Sequence, residues 1–392
     1  MNDGETGKGK GERGALGNRW PRRVAQCPPA GATFIATLLG CSLSLFPLPL
    51  SPLSAQQPLT PPPHFQKLAH TYSIVAWDSV TGDLGVVVES KFPNVGGIVP
   101  WGIAGVGAVA TQSLGNTAYG ERGLELIAEG ATADEALRIV MRTDTMLQDR
   151  QVGMIDAHGN AASFTGTRTF DWAGGRVGCG ASLPVGLDSV GIEAASARAG
   201  CQVIGGKGAV IVGHGYAAQA NIMVADLTVR NLAETFERST GSLADRLMAA
   251  LKAGQAGGGD RRGMQSAALL VVRKNGGYLG ANDRFIDIRV YDAVDPIAEL
   301  ERLLALHKLH FFPSETADLI RITPEIVRQL EPILLREPAG QLEKWLKAPA
   351  GSATAVFLAA LRDFMYWENY DVRVRMDGMI DRVVLADILR KH

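Results

Sequence analysis

A glycine run at 257–259 leads into Asp260, Arg261 and Arg262. A carboxylate beside guanidinium groups on such a loop can orient an amine or clamp a substrate carboxylate, and a local ion pair in a tight turn would use the same residues. The Gly-x4-Gly-Lys-Ser/Thr spacing of a phosphate loop is absent. Asn221, in Gln219-Ala220-Asn221, sits on an apolar run with Ile222 and Met223 behind it. An amide in that setting needs partners, and a developing oxyanion is one of them. His307 and His310 stand at i and i+3 near the end of a helical segment, with no carboxylate at matching spacing. Positive charge is favourable at a helix C-terminus on its own account, so we expect neither a metal there nor any other cofactor. Cys179 and Cys201 are the cysteines that remain once an N-terminal segment is removed. In an oxidising compartment they are expected to pair, with two buried thiols as the alternative. Neither has a histidine at metal-ligand spacing, which argues against zinc.

The elements that would carry these residues follow from periodicity. Apolar, β-branched runs place strands at 71–78 and 83–90 around a turn from Ser79 to Gly82. Further strands are expected at 105–113, at 151–157 and 160–167 across His158-Gly159, and at 216–224, 265–273 and 284–292. Apolar residues at three-four spacing place helices at 119–129, 133–141, 227–239 and 243–253, and a last one begins at Asp295-Pro296. Thr132 and Glu135 form a capping box, Ser242 is a cap, and Gly254 is the expected stop of its helix. Residues 174–213, rich in Gly, Ala and Ser, read as an inserted lobe or long loop. Strands joined by hairpins cannot build a doubly wound parallel sheet. Two antiparallel sheets packed face to face, with paired helices outside each, satisfy the order. The expected class is therefore α+β, a four-layer αββα sandwich.

Length and composition set the frame around this core. The chain has 392 residues, 46 of them glycine, which suits tight turns and close backbone approaches better than a helical bundle. With 39 basic and 40 acidic residues and no basic stripe, nucleic acid is not an expected partner. Residues 1–55 read as a signal segment: Arg19, Arg22 and Arg23 precede an apolar run from Ala32 to Leu53, which closes on Ser54-Ala55. Pro47, Pro49 and Pro52 argue against a spanning helix. A lipid anchor at Cys41 is the less favoured alternative, because the apolar run continues well past it. The protein is thus expected to be exported, to the periplasm or beyond. Residues 56–70 are proline-rich and read as a linker or pro-segment.

Ordered motifs along 70–310 resemble the bacterial domain of unknown function 1028 family. They are Thr71-Tyr-Ser-Ile-Val-Ala, Glu89-Ser-Lys-Phe92, Ala104 through Gln112, Asn116-x-x-Tyr119-Gly120, Arg150-Gln151 and Gly258 through Ser266. That family resembles N-terminal-nucleophile (Ntn) hydrolases in fold, and its activity is poorly defined. The resemblance implies an Ntn-like domain over 71–312 and makes Thr71 the candidate nucleophile. A threonine hydroxyl is activated in that fold by its own α-amine, whose ordinary pKa of about 7.7–8.0 leaves a neutral fraction near pH 7. Thr71 must then be residue one of the mature chain. Signal cleavage after Ala55 leaves fifteen residues ahead of it, so a second, self-catalysed cut between His70 and Thr71 is required. The alternative is that Thr71, Ser73, Val75 and Trp77 merely share one face of a strand. By the same analogy Lys91 would lower the nucleophile's pKa, unless it is simply solvated at a strand end. Asn221, matching the family's Gln-Gly-Asn element except at Ala220, and Asp260 complete the expected catalytic set. Gln112, Arg262 and Ser266 are the expected substrate contacts.

Residues 313–392 shift toward leucine and charge after Pro313 and carry amphipathic helical stretches. Glu368-Asn369-Tyr370 with Ile380-Asp381-x-x-Val384-Leu385 resembles a peptidoglycan-binding module often appended to this family. Packing against the first domain, or a contact in a homo-oligomer, would use the same helices. Two functions stay open at this point. One is a hydrolase of a small amide or peptide-like bond; the other is a catalytically silent protein binding a cell-wall or small-molecule ligand.

Overall fold

A computed structural model of the chain describes residues 71–179, Ala194, 204–336 and 355–392. Along the chain run β1 (Thr71–Trp77), β2 (Leu84–Ser90), β3 (Pro100–Ile103), β4 (Gly107–Ser113), α1 (Ala118–Ala128) and α2 (Ala133–Met141). Then come β5 (Arg150–Asp156), β6 (Asn160–Thr165), β7 (Trp172–Val177), β8 (Ile204–Gly205), β9 (Val210–His214) and β10 (Tyr216–Met223). They are followed by α3 (Leu227–Arg238), α4 (Leu243–Ala256), β11 (Ser266–Val272), β12 (Arg284–Val290) and α5 (Pro296–Phe311). The last elements are β13 (Leu319–Arg321), α6 (Pro324–Arg336), α7 (Ala355–Trp367), β14 (Met379–Asp381) and α8 (Arg382–Lys391).

The chain is α+β. One sheet has the order β12-β11-β2-β1-β10-β7-β8 and another β3-β4-β5-β6-β9, with β13 pairing β14 separately. Every ladder within them is antiparallel. Strand alternation divides the side chains among three hydrophobic clusters. Val75, Val86 and Val88 of the larger sheet meet Ala108, Ala110, Ile155 and Ile211 of the smaller one. Tyr72, Ile74, Val87 and Leu269 point the other way, onto Leu232, Phe236, Leu247 and Leu251 of α3 and α4 and Ile297 and Leu300 of α5. Val109, Val152, Met154 and Phe164 of the smaller sheet are covered by Leu124, Leu137 and Val140 of α1 and α2. With both faces of β1 and β10 covered, every polar side chain on them is buried and must find a partner inside.

Caps hold the helices where the sequence places them. Thr132 and Glu135 make the reciprocal capping box, Ser242 accepts from the Asp245 amide, and Asp295 accepts from the Ala298 amide. Gly254 does not stop α4, which runs to Ala256 and is capped by Gly257. Gly254 is there for packing: a Cβ on it would stand 3.0 Å from both the Tyr72 ring and Leu232. The stretch 174–213 is not wholly an insertion. It contributes β7, β8 and β9 to the two sheets, because its small residues permit close strand approach, and a Cβ on Gly213 would lie 2.1 Å from Gly178 O. Most of 180–203 lies outside the described residues.

The C-terminal segment has its own cluster, from Leu330 and Leu334 through Phe357, Phe364 and Tyr370 to Val384 and Ile388. Leu309 of α5 belongs to it as well, so one helix serves two cores. Of the helical stretches in this segment α7 ends at Trp367, and Asn369 adopts a left-handed φ of 62°. Among the described residues no helix is long and apolar enough to cross a membrane.

Candidate functional site

The site begins at the first residue of β1. Thr71 is 3% exposed, and its hydroxyl lies 3.0 Å from that of Ser90, its cross-strand partner on β2. Two buried amides grip the Thr71 carbonyl: Gln112 Nε2 donates at 3.1 Å from β4 and Asn221 Nδ2 at 3.3 Å from β10. These bonds cross between the sheets and within the larger one, so the strand start is fixed from two directions.

Behind it runs a directed chain of amides and hydroxyls. Gln219 Nε2 donates to Ser73 Oγ at 2.7 Å, and Ser73 donates to Gln112 Oε1 at 2.6 Å. Gln112 Nε2 donates to Gln151 Oε1 at 2.8 Å, and Asn221 Nδ2 reaches the same oxygen at 2.9 Å. Gln151 in turn donates to Thr165 Oγ1 and to the Ala220 carbonyl. Gln112, Gln151, Gln219 and Asn221 are all at or below 1% exposure, so each bond replaces one otherwise made to water. Room for Gln219 comes from Gly153, where a Cβ would stand 2.2 Å from Gln219 Oε1. One acceptor, Asn221 Oδ1, is buried with no partner among the described residues.

Local strain marks the same end of β10. Ile222 has φ 60°, a left-handed conformation that is costly for a β-branched side chain. It sits in a bulge between Asn221 and Met223, and Met223 bridges across to Asp260. The bulge thus brings the glycine-rich loop against the end of the strand that holds Asn221.

Asp260 is buried and organises that loop. It accepts from the Arg262 amide at 2.8 Å, from Arg262 Nη2 at 3.1 Å and from the Lys91 amide at 3.3 Å. Lys91 Nζ donates to the Met264 carbonyl at 3.0 Å, and Arg262 Nη2 also reaches the Lys91 carbonyl. Beneath this cluster, on the helix side of β2, Glu89 is fully buried and both its oxygens lack partners among the described residues. Burial, and then Asp260, push its carboxyl well above the ordinary range, against opposing pulls from the Gln265 amide, Arg262 and Lys91.

Thr71, Ser90 and Gln112 form the polar end of a cavity of about 160 Å³. Its walls are two loops. Ser113–Gly115 follows β4: Ser113 has φ 66°, and Leu114 is tied to Asp149 O and by Arg150, whose Nε contacts Asp144 at 2.9 Å. Phe92–Val99 follows β2, tied by Ser266, which donates to Phe92 O at 2.5 Å and accepts from the Val95 amide at 3.1 Å.

Of the residues singled out in the sequence, Thr71, Gln112 and Asn221 therefore meet directly. Lys91, Asp260 and Arg262 form a neighbouring cluster that does not line the cavity, and Ser266 shapes its wall. Cys201 lies outside the described residues, so its pairing with Cys179 is a matter for proposal. His307 and His310 each contact a backbone carbonyl, of Phe285 and Asn369 respectively. Ser90 and Gln151 were not anticipated. Their signal was present as polar side chains at inward positions of otherwise apolar strands.

The fold and site define an α+β protein with a buried polar centre between two antiparallel sheets, opening on a cavity at the start of β1. The chain belongs to the family of unknown function DUF1028, whose model matches residues 71–183 and 187–300. A crystal structure of a Silicibacter pomeroyi protein carrying the same family model is similar at 24% identity, over 61% of this chain and 89% of that one, with a TM-score of 0.47. No curated protein matches the chain.

Proposed function

We propose that this chain is an exported Ntn-type amidohydrolase that cleaves a small amide or peptide-like bond with Thr71 as nucleophile. One observation carries the reading: Thr71 begins β1 with its hydroxyl at a cavity and its carbonyl clamped by Gln112 and Asn221. The three clusters, one between the sheets and one outside each, support a four-layer αββα sandwich of the Ntn kind. In the maturing step, Thr71 Oγ1 attacks the His70 carbonyl carbon, the His70–Thr71 C–N bond breaks, and the proton passes to the departing amine. Water then hydrolyses the resulting ester. In turnover the freed α-amine takes the Thr71 hydroxyl proton as the oxygen attacks the substrate carbonyl. The substrate C–N bond breaks, the proton goes to the leaving amine, and water releases the acyl group. Asn221 Oδ1, an acceptor without a donor among the described residues, is suited to orient that amine.

Export by the segment 1–55, a linker over 56–70, a Cys179–Cys201 disulfide and a wall-binding module over 313–392 belong to the same proposal. A silent binding protein is the second reading, favoured by Lys91, whose ammonium is directed at Met264 O. Intact mass and N-terminal sequencing of protein exported by its own host decide between them. A start at Thr71 is expected; Thr71→Ala should abolish both the cut and amide turnover, while Thr71→Ser keeps part of each. A chain still starting at Gln56, with no turnover across an amide panel, overturns the hydrolase.

A further inference from the structure

The cavity at Thr71 has a chemistry of its own. Away from the hydroxyls it is walled by Phe92, Val95, Ile98, Val99 and Leu114, and among the described residues none that lines it is charged. Of the charged residues flanking Ser90, Lys91 is committed to Met264 O, and Glu89 is buried on the opposite, helix-facing side of β2. Arg262 of the neighbouring loop is held by Asp260 and Lys91 O. We propose that the group held here is a small, uncharged, apolar acyl group, bound with its carbonyl at the Thr71–Ser90–Gln112 end. The inference rests on the hydrolase reading for the word acyl, and on the cavity alone for size and polarity.

Size follows from the volume of about 160 Å³. An apolar protein cavity of roughly 150 Å³ takes up benzene, so a branched aliphatic or single-ring group of about six carbons fills this one. Polarity follows from desolvation. A carboxylate or ammonium on the acyl group would lose its water and find no counter-charge, a penalty that paired hydrogen bonds to Ser or Gln do not offset. The walls are held from behind. Ser266 uses its hydroxyl to fix Phe92 and Val95, and the Arg150–Asp144 pair, 11% and 6% exposed, anchors Leu114. A cavity supported in this way is preformed, which lowers the ordering cost of binding.

Binding is measured apart from turnover, by titration calorimetry on the full chain with two nearly isosteric amides, valeramide and succinamate. Valeramide should bind at least about tenfold more tightly, because only succinamate must bury a charge. Leu114→Trp, which fills the apolar end, should abolish valeramide binding; Ile98→Phe serves the same purpose if that variant fails to fold. Succinamate binding as tightly as valeramide, or valeramide binding surviving both substitutions in folded protein, overturns the proposal. The two readings fail separately. Valeramide binding without turnover of any valeryl anilide leaves the cavity assignment standing and removes the nucleophile. Turnover of succinyl anilides in preference to valeryl ones keeps the nucleophile and removes the cavity assignment.

Discussion

Glu89 is the residue whose environment makes the clearest demand on its charge state. It is buried without a hydrogen-bond partner among the described residues, beneath Asp260 and opposite Tyr72 on β1, with Lys91 and Arg262 on the far side. Burial, then Asp260, raise its pKa, so the folded state holds the proton more tightly than the unfolded chain. The stability this gives is complete below the unfolded carboxyl value of 4.5, declines as pH rises above it and is gone once pH passes the folded value. Glu89→Gln removes the titration while keeping the shape. As pH rises above about 5 the variant's unfolding free energy, measured by urea titration, should gain on the native chain's by up to about 1.4 kcal/mol per pH unit. Parallel profiles would show that Glu89 is ionised in the folded protein. The amides around Thr71 illustrate the same constraint without charge, since Gln112, Gln151 and Asn221 are stable in the interior only as a mutually bonded set.

Among the elements, α1 depends most visibly on a single missing atom. Gly120 sits near the start of this helix, where glycine costs about 1 kcal/mol relative to alanine in isolation. Here the order is reversed, because a Cβ would stand 2.2 Å from Trp101 Cγ on β3. The indole is fixed by its own hydrogen bond to Ile98 O at 2.8 Å and cannot withdraw easily. Gly120→Ala should therefore destabilise the protein by about 1–3 kcal/mol despite its better helix propensity. Urea unfolding checks this, and equal or greater stability would mean that β3 moves freely. Since Ile98 also lines the cavity, loss of valeramide affinity should accompany the destabilisation. β10 shows the converse case. It retains a strained Ile222 in its bulge, and the bulge brings Asn221 and Asp260 to one end of the sheet.

At the scale of the molecule, the described residues fall in one compact unit, and α5 joins the helix-side cluster of the larger sheet to the C-terminal cluster. Ile297, Leu300 and Leu304 face the sheets, while Leu306 and Leu309 face the C-terminal cluster. Arg373 Nη2 donates to Lys308 O and His310 Nδ1 contacts Asn369 O, so the junction is polar as well as apolar. A chain truncated after Phe312 should still unfold cooperatively, because among the described residues the sheet clusters draw on nothing beyond Phe312. Its exposed Leu306 and Leu309 should make it aggregate, and replacing both with Glu should restore solubility. Absence of any cooperative transition, by circular dichroism, would instead make the C-terminal segment part of the main folding unit. Within that segment Asp387 gives an independent handle. Burial alone would raise it, yet Lys391, the Tyr370 hydroxyl and Arg390 hold it down to about 2. Its contribution is present above the ordinary value of 3.8 and lost as pH falls through about 2.

Local information was sufficient for the longer hairpin strands and the helices, but not for β3, β7, β8 or β9. Alternating β-branched runs marked β1, β2 and β11, three-four spacing with Thr132, Ser242 and Asp295 as caps marked the helices, and turn residues at 79–82 and 158–159 marked the hairpins. These signals lie within a few positions of each other, where backbone geometry alone decides. Thr71 and Gln112 were also legible as candidates through the motifs shared with the family, and Asn221 from an amide on an apolar run. Their meeting was not, because it joins positions up to 150 residues apart through two sheets. The short strands β3 and β14 carry little pattern of their own and exist through their partners β4 and β13. Gly254 read as a stop and proved to be a packing position, since the Tyr72 ring across the layer and Leu232 of α3 crowd the place of a Cβ. The roles of Ser266 and Arg150 as supports of a cavity wall depend in the same way on what stands opposite them in space. Sequence spacing fixes periodicity and caps; burial, counter-charges and the space left for a ligand are properties of surfaces that only tertiary packing brings together.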